Sequence, residues 1–384
     1  MSTFRTFAVR FSRTAAPRPL KRTVLNKTLL GGVAALTLAA TAACATATAN
    51  TSTPSSSATA TSAGTPAAAL RLGYFANLTH ASALVGVGNG FFQGKLGKTK
   101  LSTTVFNAGP DEMTALLANQ LDAAFVGPSS ALNAWVQDKH SGLTIVSGAE
   151  NAGAELVVNS SITSAAQLKG TTLADPQLGN TQDVALRYWL KQQGFSTNLQ
   201  GGGDVSITPT SNSTVLSLFE QGKIQGAWVP EPYASELVVQ GGGHVLVDEK
   251  TLWPGGDFAT TNLVVANSYL AAHPQTVEEL IEGEIEANTY IDSSPTQAQA
   301  VVNQQLQTLT GKALPTTVLT RAWGELNVTS NPFASSLQTE LNHAVSDGLL
   351  TNTSLKGIFN LTLLNQALKA EGDPTVSSAG LGPQ

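Results

Sequence analysis

Neutral hydrogen-bonding residues fill a short loop near the start of the apolar, ordered part of the sequence. Residues 70–74 read as the end of a strand, and the loop 77–80 (Asn-Leu-Thr-His) precedes a small-residue helix over 81–90. In open α/β sheets, ligands lie outside the carboxyl ends of strands, where such loops lead into helices. The first N–H groups of a helix have no intrahelical partner and attract anions. The pattern therefore predicts either an anion-binding turn or an ordinary strand–loop–helix connection.

Three further loops have the same polar, cation-free character. They follow the predicted strands 101–106, 122–126 and 172–174. Because the carboxyl ends of parallel strands meet at one edge of a sheet, we expect all four loops to converge on one cleft. An oxyanion there would be held by hydroxyl, amide and backbone N–H donors rather than by a countercharge. The candidate ligand-binding residues in these loops are Asn77, Leu78, Thr79, His80, Asn107, Gly109, Gly127, Pro128, Ser129, Gln177, Gly179, Asn180, Thr181 and Gln182.

For several individual residues, the sequence is compatible with both a ligand-binding role and a structural role. His80, neutral or protonated, can donate to an anion, or it can be a buried structural histidine. Trp228 and Glu231 complete the candidate ligand-binding set. Trp228 either walls the apolar part of an organic anion or packs in the core, whereas Glu231 would repel an anion and more naturally caps its helix or faces a protein partner. Arg187, in the middle of a predicted helix, is assigned to the surface.

The elements that position these loops alternate between strand and helix, which predicts an α/β fold with mainly parallel sheets and helices on both faces. The alternation of strands and helices extends over residues 70–152 and begins again over residues 153–255. A strand over 258–266 and helices through 372 are predicted to return to the first lobe. We therefore expect two lobes, 70–152 plus 256–372 and 153–255, with a ligand cleft between them and crossovers near 150–155 and 248–257. Residues 373–384 are predicted to form a disordered tail.

The leader indicates export. Residues 1–43 carry seven of the 21 Lys and Arg and none of the 26 Asp and Glu, and an apolar run over 29–43 precedes Cys44. This describes a signal peptide, because the run is too short to span a bilayer. The segment 41–44 (Thr-Ala-Ala-Cys) resembles a bacterial lipobox, although Leu is commoner than Thr at its first position. We expect a lipid anchor on Cys44 or, alternatively, simple cleavage nearby, followed by a flexible tether over 44–69.

The charge and the cysteine content of the chain argue against several kinds of binding partner and against disulfide bonds. Removal of the leader leaves a formal charge of −12, which argues against nucleic acid and against an anionic membrane surface as partners. Cys44 is the only cysteine, so no intrachain disulfide can form.

The chain resembles the substrate-binding proteins of ABC importers, in the aliphatic-sulfonate, taurine and nitrate group. The segments that carry the resemblance are GYFANLTHASALVG (73–86), FNAGP (106–110), DAAFVGPSSA (122–131), LKGTTLADPQLGNTQDVALRYWL (168–190) and GKIQGAWVPEPYA (222–234). The resemblance implies a two-lobed periplasmic-binding-protein fold of the second type, without catalysis or cofactor. It also implies a monomer that delivers a small anion to a permease and its ATPase. Gln225 departs from the family, which often has Asp at that position.

Two other classes of protein fit the sequence less well. An enzyme on the same fold is possible by analogy with the pyrimidine-precursor synthase of thiamine synthesis, but His80 has no neighbouring His and Cys cluster for metal chemistry. A thiamine-precursor-binding protein of the same fold stays open. A metal-capture lipoprotein is disfavoured because the histidines are scattered without ligand spacing.

Overall fold

The structure, a computed structural model, describes residues 66–384, which form an α/β protein built on two sheets. The predicted signal peptide, Cys44 and nearly all of the predicted tether lie outside the described residues. Within the described part of the chain, no helix has both the length and the apolar composition required to cross a bilayer.

Strands form where short runs rich in Val, Ile, Thr and small residues occur, as expected for a pleated surface. The strands of the described chain are β1 (Ala69–Phe75), β2 (Lys100–Phe106), β3 (Ala123–Val126), β4 (Leu143–Ala152), β5 (Ala154–Val158), β6 (Thr172–Asp175), β7 (Ser206–Pro209), β8 (Gly226–Pro230), β9 (His244–Asp248), β10 (Ala259–Ala266) and β11 (Leu326–Val328).

Helices occupy most of the segments between strands, and four of the described helices begin with a proline at the first or second position, where a missing N–H group costs nothing. The helices of the described chain are α1 (Ala81–Gly88), α2 (Phe91–Leu96), α3 (Gly109–Leu117), α4 (Pro128–Gln137), α5 (Thr181–Gln192), α6 (Asn212–Glu220), α7 (Tyr233–Val239), α8 (Asn267–Ala272), α9 (Pro274–Ser293), α10 (Pro295–Thr310), α11 (Thr316–Gly324), α12 (Ala334–Ser346) and α13 (Thr362–Glu371).

The predicted α/β class is confirmed, but the sheets are mixed rather than mainly parallel. The first sheet has the strand order β11-β4-β10-β3-β1-β2, and the second has the order β7-β6-β8-β5-β9. Of the nine strand pairings among the described residues, four are parallel. Four of the five antiparallel pairings involve the strands next to the points where the chain changes sheet: β10 runs against β3 and β4, and β5 runs against β8 and β9. The fifth pairs β11 with β4.

Two connections join the sheets directly. The chain leaves the first sheet from β4 into β5 through Gly153, whose φ of +75° favours glycine. It returns from β9 to β10 through two short 3₁₀ turns over Glu249–Leu252 and Pro254–Gly256. The lobe boundaries and their hinge remain a proposal.

Each sheet has its own core. A large cluster that includes Leu72, Phe125 and Leu263 packs the first sheet against its helices. The second sheet is apolar on both faces, with Leu156 in the cluster on one face and Val157 in the cluster on the other. Buried strands of this kind carry nearly continuous apolar runs.

The carboxyl-terminal region differs from the prediction in two ways. Its helices do not all pack on the first sheet, since α11 contacts α7 and α12 contacts α5, both beside the second sheet. The predicted disordered tail is instead bound to the body of the protein. The Gly357 N–H donates to the carbonyl of Leu381 at 2.6 Å, and Asn365 exchanges two hydrogen bonds with Val376 at 2.8 and 2.9 Å. These partners lie outside the tail itself, which explains why its polar composition did not reveal them.

Candidate ligand-binding site

A small cavity lies between the two sheets, at the carboxyl ends of several strands. Its volume is about 10 Å³, close to the roughly 10–15 Å³ that a single water requires. The two sides therefore stand close together, and any ligand larger than water requires them to separate. The lining residues are Phe75, Asn77, Thr79, His80, Asn107, Gly127, Asn180, Thr181, Gln182, Asn212, Pro230 and Thr260.

All four predicted loops contribute to this cavity. Eight of the sixteen candidate ligand-binding residues line it: Asn77, Thr79, His80, Asn107, Gly127, Asn180, Thr181 and Gln182. Most of their side chains are buried, whereas Asn107 is exposed. The convergence follows from the parallel arrangement of β1, β2 and β3, with β6 contributing from the second sheet.

Sequence reasoning missed four lining residues. Asn212 follows β7 at the start of α6, so the rule that identified the other loops would have found it. Pro230 ends β8, and Phe75 is the last residue of β1. Thr260 lies on β10, which is antiparallel to its neighbours and therefore brings its other end to this edge.

The other eight candidates lie outside the cavity lining. Gln177 donates to Asp111 at 3.4 Å near the surface, and Gly179 has a φ of +79° in the loop before α5. Ser129 is buried and donates to the carboxylate of Glu340 at 2.8 Å. The remaining members are Leu78, Gly109, Pro128, Trp228 and Glu231, all buried.

The predicted anion-binding N–H groups of the first loop already have protein acceptors. The N–H groups of Leu78 and Thr79 both donate to the carbonyl of Glu231, at 3.1 and 3.4 Å. In the first turn of α1, the Ser82 N–H donates to the carboxyl of Glu150 at 2.8 Å. This loop can therefore offer a ligand its side chains, but not these backbone donors.

His80 combines the two roles that the sequence allowed. Its side chain is 2% exposed, and burial lowers its pKa to about 3, so the imidazole is neutral at physiological pH. Nδ1 accepts the N–H of Phe75 at 3.4 Å, and the ring packs on that of Phe75. With Nδ1 as the acceptor, the neutral ring carries its proton on Nε2. His80 is thus both a buried packing residue and a neutral donor at the cavity.

The second sheet contributes polar atoms that have no protein partner. The hydroxyl of Thr181 and the amide oxygen of Asn212 are buried and lack a hydrogen-bond partner among the described residues. Thr181 is the first residue of α5, a twelve-residue helix whose first N–H groups have no intrahelical partner. Buried polar atoms without partners are costly, and they mark the places where a ligand can replace water.

Contacts across the cavity hold its two sides together. The hydroxyl of Ser130 donates to the amide oxygen of Asn180 at 3.3 Å. Gly127 lies so close to Thr181 that a Cβ at position 127 would overlap the threonine hydroxyl. Its φ of −66° is ordinary, so glycine is needed here for space rather than for conformation.

No Lys, Arg, Asp or Glu lines the cavity in the described chain. The nearby Arg187 was predicted to lie at the surface, and this was wrong. Its side chain is 2% exposed, and its Nε donates to Asp183 at 2.6 Å along the same helix. Asp175, at the end of β6, has a pKa raised by burial and then by the charge of Asp183.

Glu231 lies in an ion-paired cluster, which we call the Arg321 cluster: Arg321, Glu155, Glu231 and Ser235. Arg321 donates to Glu155 at 2.6 Å and to Glu231 at 2.9 Å. Burial, and then the charge of Glu155, raise the pKa of Glu231 to about 8. One guanidinium therefore balances Glu155 while Glu231 keeps its proton. Glu231 also accepts the N–H of Ser235 in the first turn of α7, although Pro232 rather than Glu231 occupies the N-cap position.

Trp228 packs in the core, which was one of its two predicted roles. It is fully buried, and its indole N–H donates to Glu249 at 2.7 Å. Its edge meets Trp189. It does not line the cavity, so it forms no wall for a ligand there.

One acidic group in the described residues has the geometry of a metal site: Glu155, Asp248 and Glu325. Cationic side chains already neutralise it. Lys250 lies 3.0 Å from Asp248 and 3.1 Å from Glu325, and Arg321 holds Glu155. We read the group as a set of ion pairs.

The fold is shared with solved periplasmic binding proteins. The alkanesulfonate-binding protein SsuA from Xanthomonas axonopodis pv. citri, bound to MOPS, aligns with a TM-score of 0.63 over 75% of this chain and 96% of that one, at 20% identity. The periplasmic nitrate-binding protein NrtA from Synechocystis aligns with a TM-score of 0.68 over 79% and 89%, at 16% identity. These alignments show the two-lobed binding-protein fold.

The chain belongs to the NMT1-like family, whose profile matches residues 63–305. Among curated relatives, a putative aliphatic sulfonates-binding protein of Escherichia coli is 29% identical over 182 residues, which are 46% of this chain and 51% of the relative. The chain spans between 51% and 59% of the length of the curated relatives it matches.

Proposed function

We propose that this chain is an extracytoplasmic substrate-binding protein of an ABC importer that captures a small anion between its lobes. An aliphatic sulfonate is the preferred ligand, with taurine and nitrate as further possibilities. The named similarities to sulfonate- and nitrate-binding proteins support the proposal, and those neighbours are binding proteins rather than enzymes. The captured ligand would pass to a permease and its ATPase.

The observation that carries the proposal is the composition of the cavity. Residues from both sheets surround it with neutral donors, and a helix begins at its edge with Thr181. Sulfonate and nitrate are weakly basic oxyanions that several neutral donors and a helix N-terminus can hold without a countercharge. A site of this kind binds by desolvated hydrogen bonds, so affinity should depend only weakly on salt.

A neutral heterocycle, such as a thiamine precursor, is the second candidate. It is favoured by the Asn212 amide oxygen, an acceptor that would suit a ligand amino group, and by a cavity lining that contains no Lys or Arg within residues 66–384. Phe75 and the neutral His80 ring would offer such a ligand apolar contact.

A calorimetric screen of methanesulfonate, taurine, nitrate and a thiamine-precursor pyrimidine separates these candidates. Saturable one-to-one binding of a sulfonate supports the first proposal. Binding of the pyrimidine alone supports the second. If none of the four binds, capture of these ligands is wrong.

We further propose that Cys44 carries a lipid anchor, on the strength of the basic leader, the apolar run and the lone cysteine. Cys44→Ala should release the protein from the membrane fraction into the medium. Thr41→Leu, which introduces the commoner lipobox residue, should leave it in the membrane. Retention of the Cys44→Ala protein in the membrane would contradict the anchor.

A further inference from the structure

A buried carboxyl and a buried hydroxyl of the first sheet lie beside the loop that carries His80. Glu150 is near the end of β4, and Thr261 is its direct partner on the neighbouring strand β10. Both residues are almost completely buried. Opposed residues of an antiparallel pair have Cβ atoms about 4.5–5.5 Å apart on one face of the sheet. The two polar groups are therefore neighbours.

Each of the two groups holds one end of the same turn. The hydroxyl of Thr261 donates to the carbonyl of Thr79 at 2.5 Å. Oε1 of Glu150 accepts the N–H of Ser82, in the first turn of α1, at 2.8 Å. His80 lies between these two points and lines the cavity together with Thr79. The turn over 79–82 is thus fixed to the first sheet at both ends.

An irregularity in β10 places Thr261 in this position. Ala259 and Thr261, two residues apart, face the adjacent residues Asn151 and Glu150 of β4, which leaves Thr260 as an extra residue on β10. Extra residues of this kind redirect side chains and are frequent beside functional sites. Two successive threonines can therefore serve the site, because Thr260 lines the cavity and Thr261 holds the loop.

The Glu150 carboxyl suits this position because it is neutral at pH 7. Burial is the main cause that raises its pKa to about 8, and the charge of Glu284 adds to the rise, while contacts with Ser82 and Thr261 oppose it. A protonated carboxyl can accept one hydrogen bond and donate another. Oε2 has no hydrogen-bond partner among the described residues. A proton on Oε2 can be donated to the Thr261 oxygen, because the proton of Thr261 is already given to Thr79.

The opposite side of the loop is bound to the second sheet. The N–H groups of Leu78 and Thr79 donate to the carbonyl of Glu231, which follows β8. These bonds cross the cavity, so separation of its two sides to admit a ligand would strain or break them. The bonds of Glu150 and Thr261 lie on the first-sheet side and can persist during that movement.

We propose that Glu150 and Thr261 are positioning residues that keep the turn over 79–82, and with it the neutral His80 donor, in its ligand-binding arrangement when the second sheet moves away. Neither residue belongs to the cavity lining, so both act through the loop rather than on the ligand. A loop fixed in advance loses less conformational freedom on binding, which favours affinity. This inference rests on the proposed function, because it concerns how the site receives its ligand.

Calorimetry with methanesulfonate and amide hydrogen exchange of the full-length protein provide the test. Glu150→Met removes the acceptor of the Ser82 N–H and the donor to Thr261. We expect it to weaken binding by about three- to tenfold and to speed exchange of the Ser82 amide. Glu150→Gln offers an acceptor and a donor in the same places, so it should retain native affinity and native exchange.

Glu112→Met is the matched control. Glu112 is also fully buried beside the first sheet, where its carboxyl lies against Gly73, but neither of its oxygens has a hydrogen-bond partner in the described chain. Removal of this carboxyl should leave methanesulfonate affinity and Ser82 exchange unchanged. Thermal unfolding of each variant checks that it folds.

Thr261→Val is a second, independent variant, since it removes the hydroxyl and keeps the branched shape of the side chain. It should weaken methanesulfonate binding by about three- to tenfold. Combined with Glu150→Met, it should weaken binding by less than the product of the two single effects, because both residues hold one turn.

The outcomes distinguish this inference from the proposed function. Native methanesulfonate affinity in Glu150→Met would overturn the positioning role and leave anion capture standing. An equal loss in Glu150→Gln, or in Glu112→Met, would also overturn it, since the effect would then come from a carboxylate charge or from any buried carboxyl. If Glu150→Met does not fold, native affinity in Thr261→Val overturns the inference and a loss supports it. If methanesulfonate does not bind the native protein, the proposed capture fails, and Ser82 exchange still tests whether Glu150 fixes the turn.

Discussion

The ligand cavity and the Arg321 cluster are neighbours with opposite electrostatic character. Pro230 lines the cavity, and the next residue, Glu231, belongs to the cluster. Among the described residues, the cavity lining carries no formal charge, while the cluster places one guanidinium against two buried carboxyl groups. Adjacent residues of the chain therefore belong to two different environments. Pro230 lies at an uncharged cavity, and Glu231 lies in a cluster of ion pairs and hydrogen bonds.

The difference indicates that the Arg321 cluster stabilises the fold and that the cavity is the region available to a ligand. Charge serves to fasten α11 to the second sheet, where partners are permanent. The cavity instead presents buried hydroxyl and amide groups, of which Thr181 and Asn212 have free bonding capacity. Neutral donors can release a ligand more readily than a buried ion pair can, which is consistent with the proposed capture and delivery of a ligand.

The largest effect should come from breaking the cluster. Arg321→Met leaves the buried carboxyl of Glu155 without its countercharge, and removal of one partner of a buried pair typically costs about 3–5 kcal/mol. Because Arg321 is 20% exposed, we expect a loss near the lower end, about 3 kcal/mol in the free energy of unfolding measured with urea.

Arg71→Met is the matched control, since Arg71 pairs with Asp122 with its own side chain 43% exposed. Exposed pairs contribute about 0–1 kcal/mol. If Arg321→Met costs no more than Arg71→Met, the cluster does not fasten the fold as described.

Closure of the cavity provides the next test. A methyl group at position 127 would overlap the Thr181 hydroxyl across the cavity, and overpacking of this kind costs about 1–3 kcal/mol. Gly127→Ala should therefore weaken ligand binding by about 10- to 100-fold, measured by calorimetry. Gly94→Ala is the control, because a Cβ there meets no atom within 4 Å. Native affinity in Gly127→Ala would argue against closure at this contact.

The response to pH should separate the two regions. The raised pKa of Glu231, about 8 against 4.5 when unfolded, means that its contribution to stability is complete below about pH 4.5. That contribution is lost as the pH rises through 8. From this group alone we expect the protein to be roughly 3 kcal/mol more stable at pH 5 than at pH 8, and Glu231→Gln to reduce that difference.

Ligand affinity should change little over the same range. His80 is the only titratable residue lining the cavity in the described chain, and its pKa of about 3 keeps it neutral from pH 5 to 8. Affinity that rises steeply on acidification would show that a protonated group holds the anion. Unfolding curves and calorimetry at the two pH values give both readouts.

Local sequence signals were enough to locate much of the fold. Alternating patterns predicted β10 as a returning strand and placed the loops that meet at the cavity. They did not reveal strand direction, because an apolar strand has the same pattern in parallel and antiparallel pairings. Thr260 was missed for this reason, since it reaches the cavity only because β10 is antiparallel.

Long-range partners limited the prediction of the site. Ser129 has the right type and position for a ligand donor, but Glu340, 211 residues away, accepts its hydrogen bond. The N–H groups of Leu78 and Thr79 are taken by the carbonyl of Glu231. The local sequence of a loop does not show that its donors are already hydrogen-bonded to residues far away in the chain. Asn212, in contrast, could have been predicted, because it lies in the loop that follows the carboxyl end of a strand.

The most direct test of the central claim, that neutral donors hold the anion, is calorimetry of Thr181→Ala with the sulfonate that binds best. The hydroxyl of Thr181 is buried at the cavity and has no hydrogen-bond partner in the part of the chain that the structure describes. A hydrogen bond to a charged group contributes about 1.5–3 kcal/mol. We predict a loss of affinity of at least about tenfold. The midpoint of unfolding of the free protein should stay unchanged, Thr181→Ser should retain affinity, and Ser129→Ala should have little effect. Native affinity in Thr181→Ala would contradict the account.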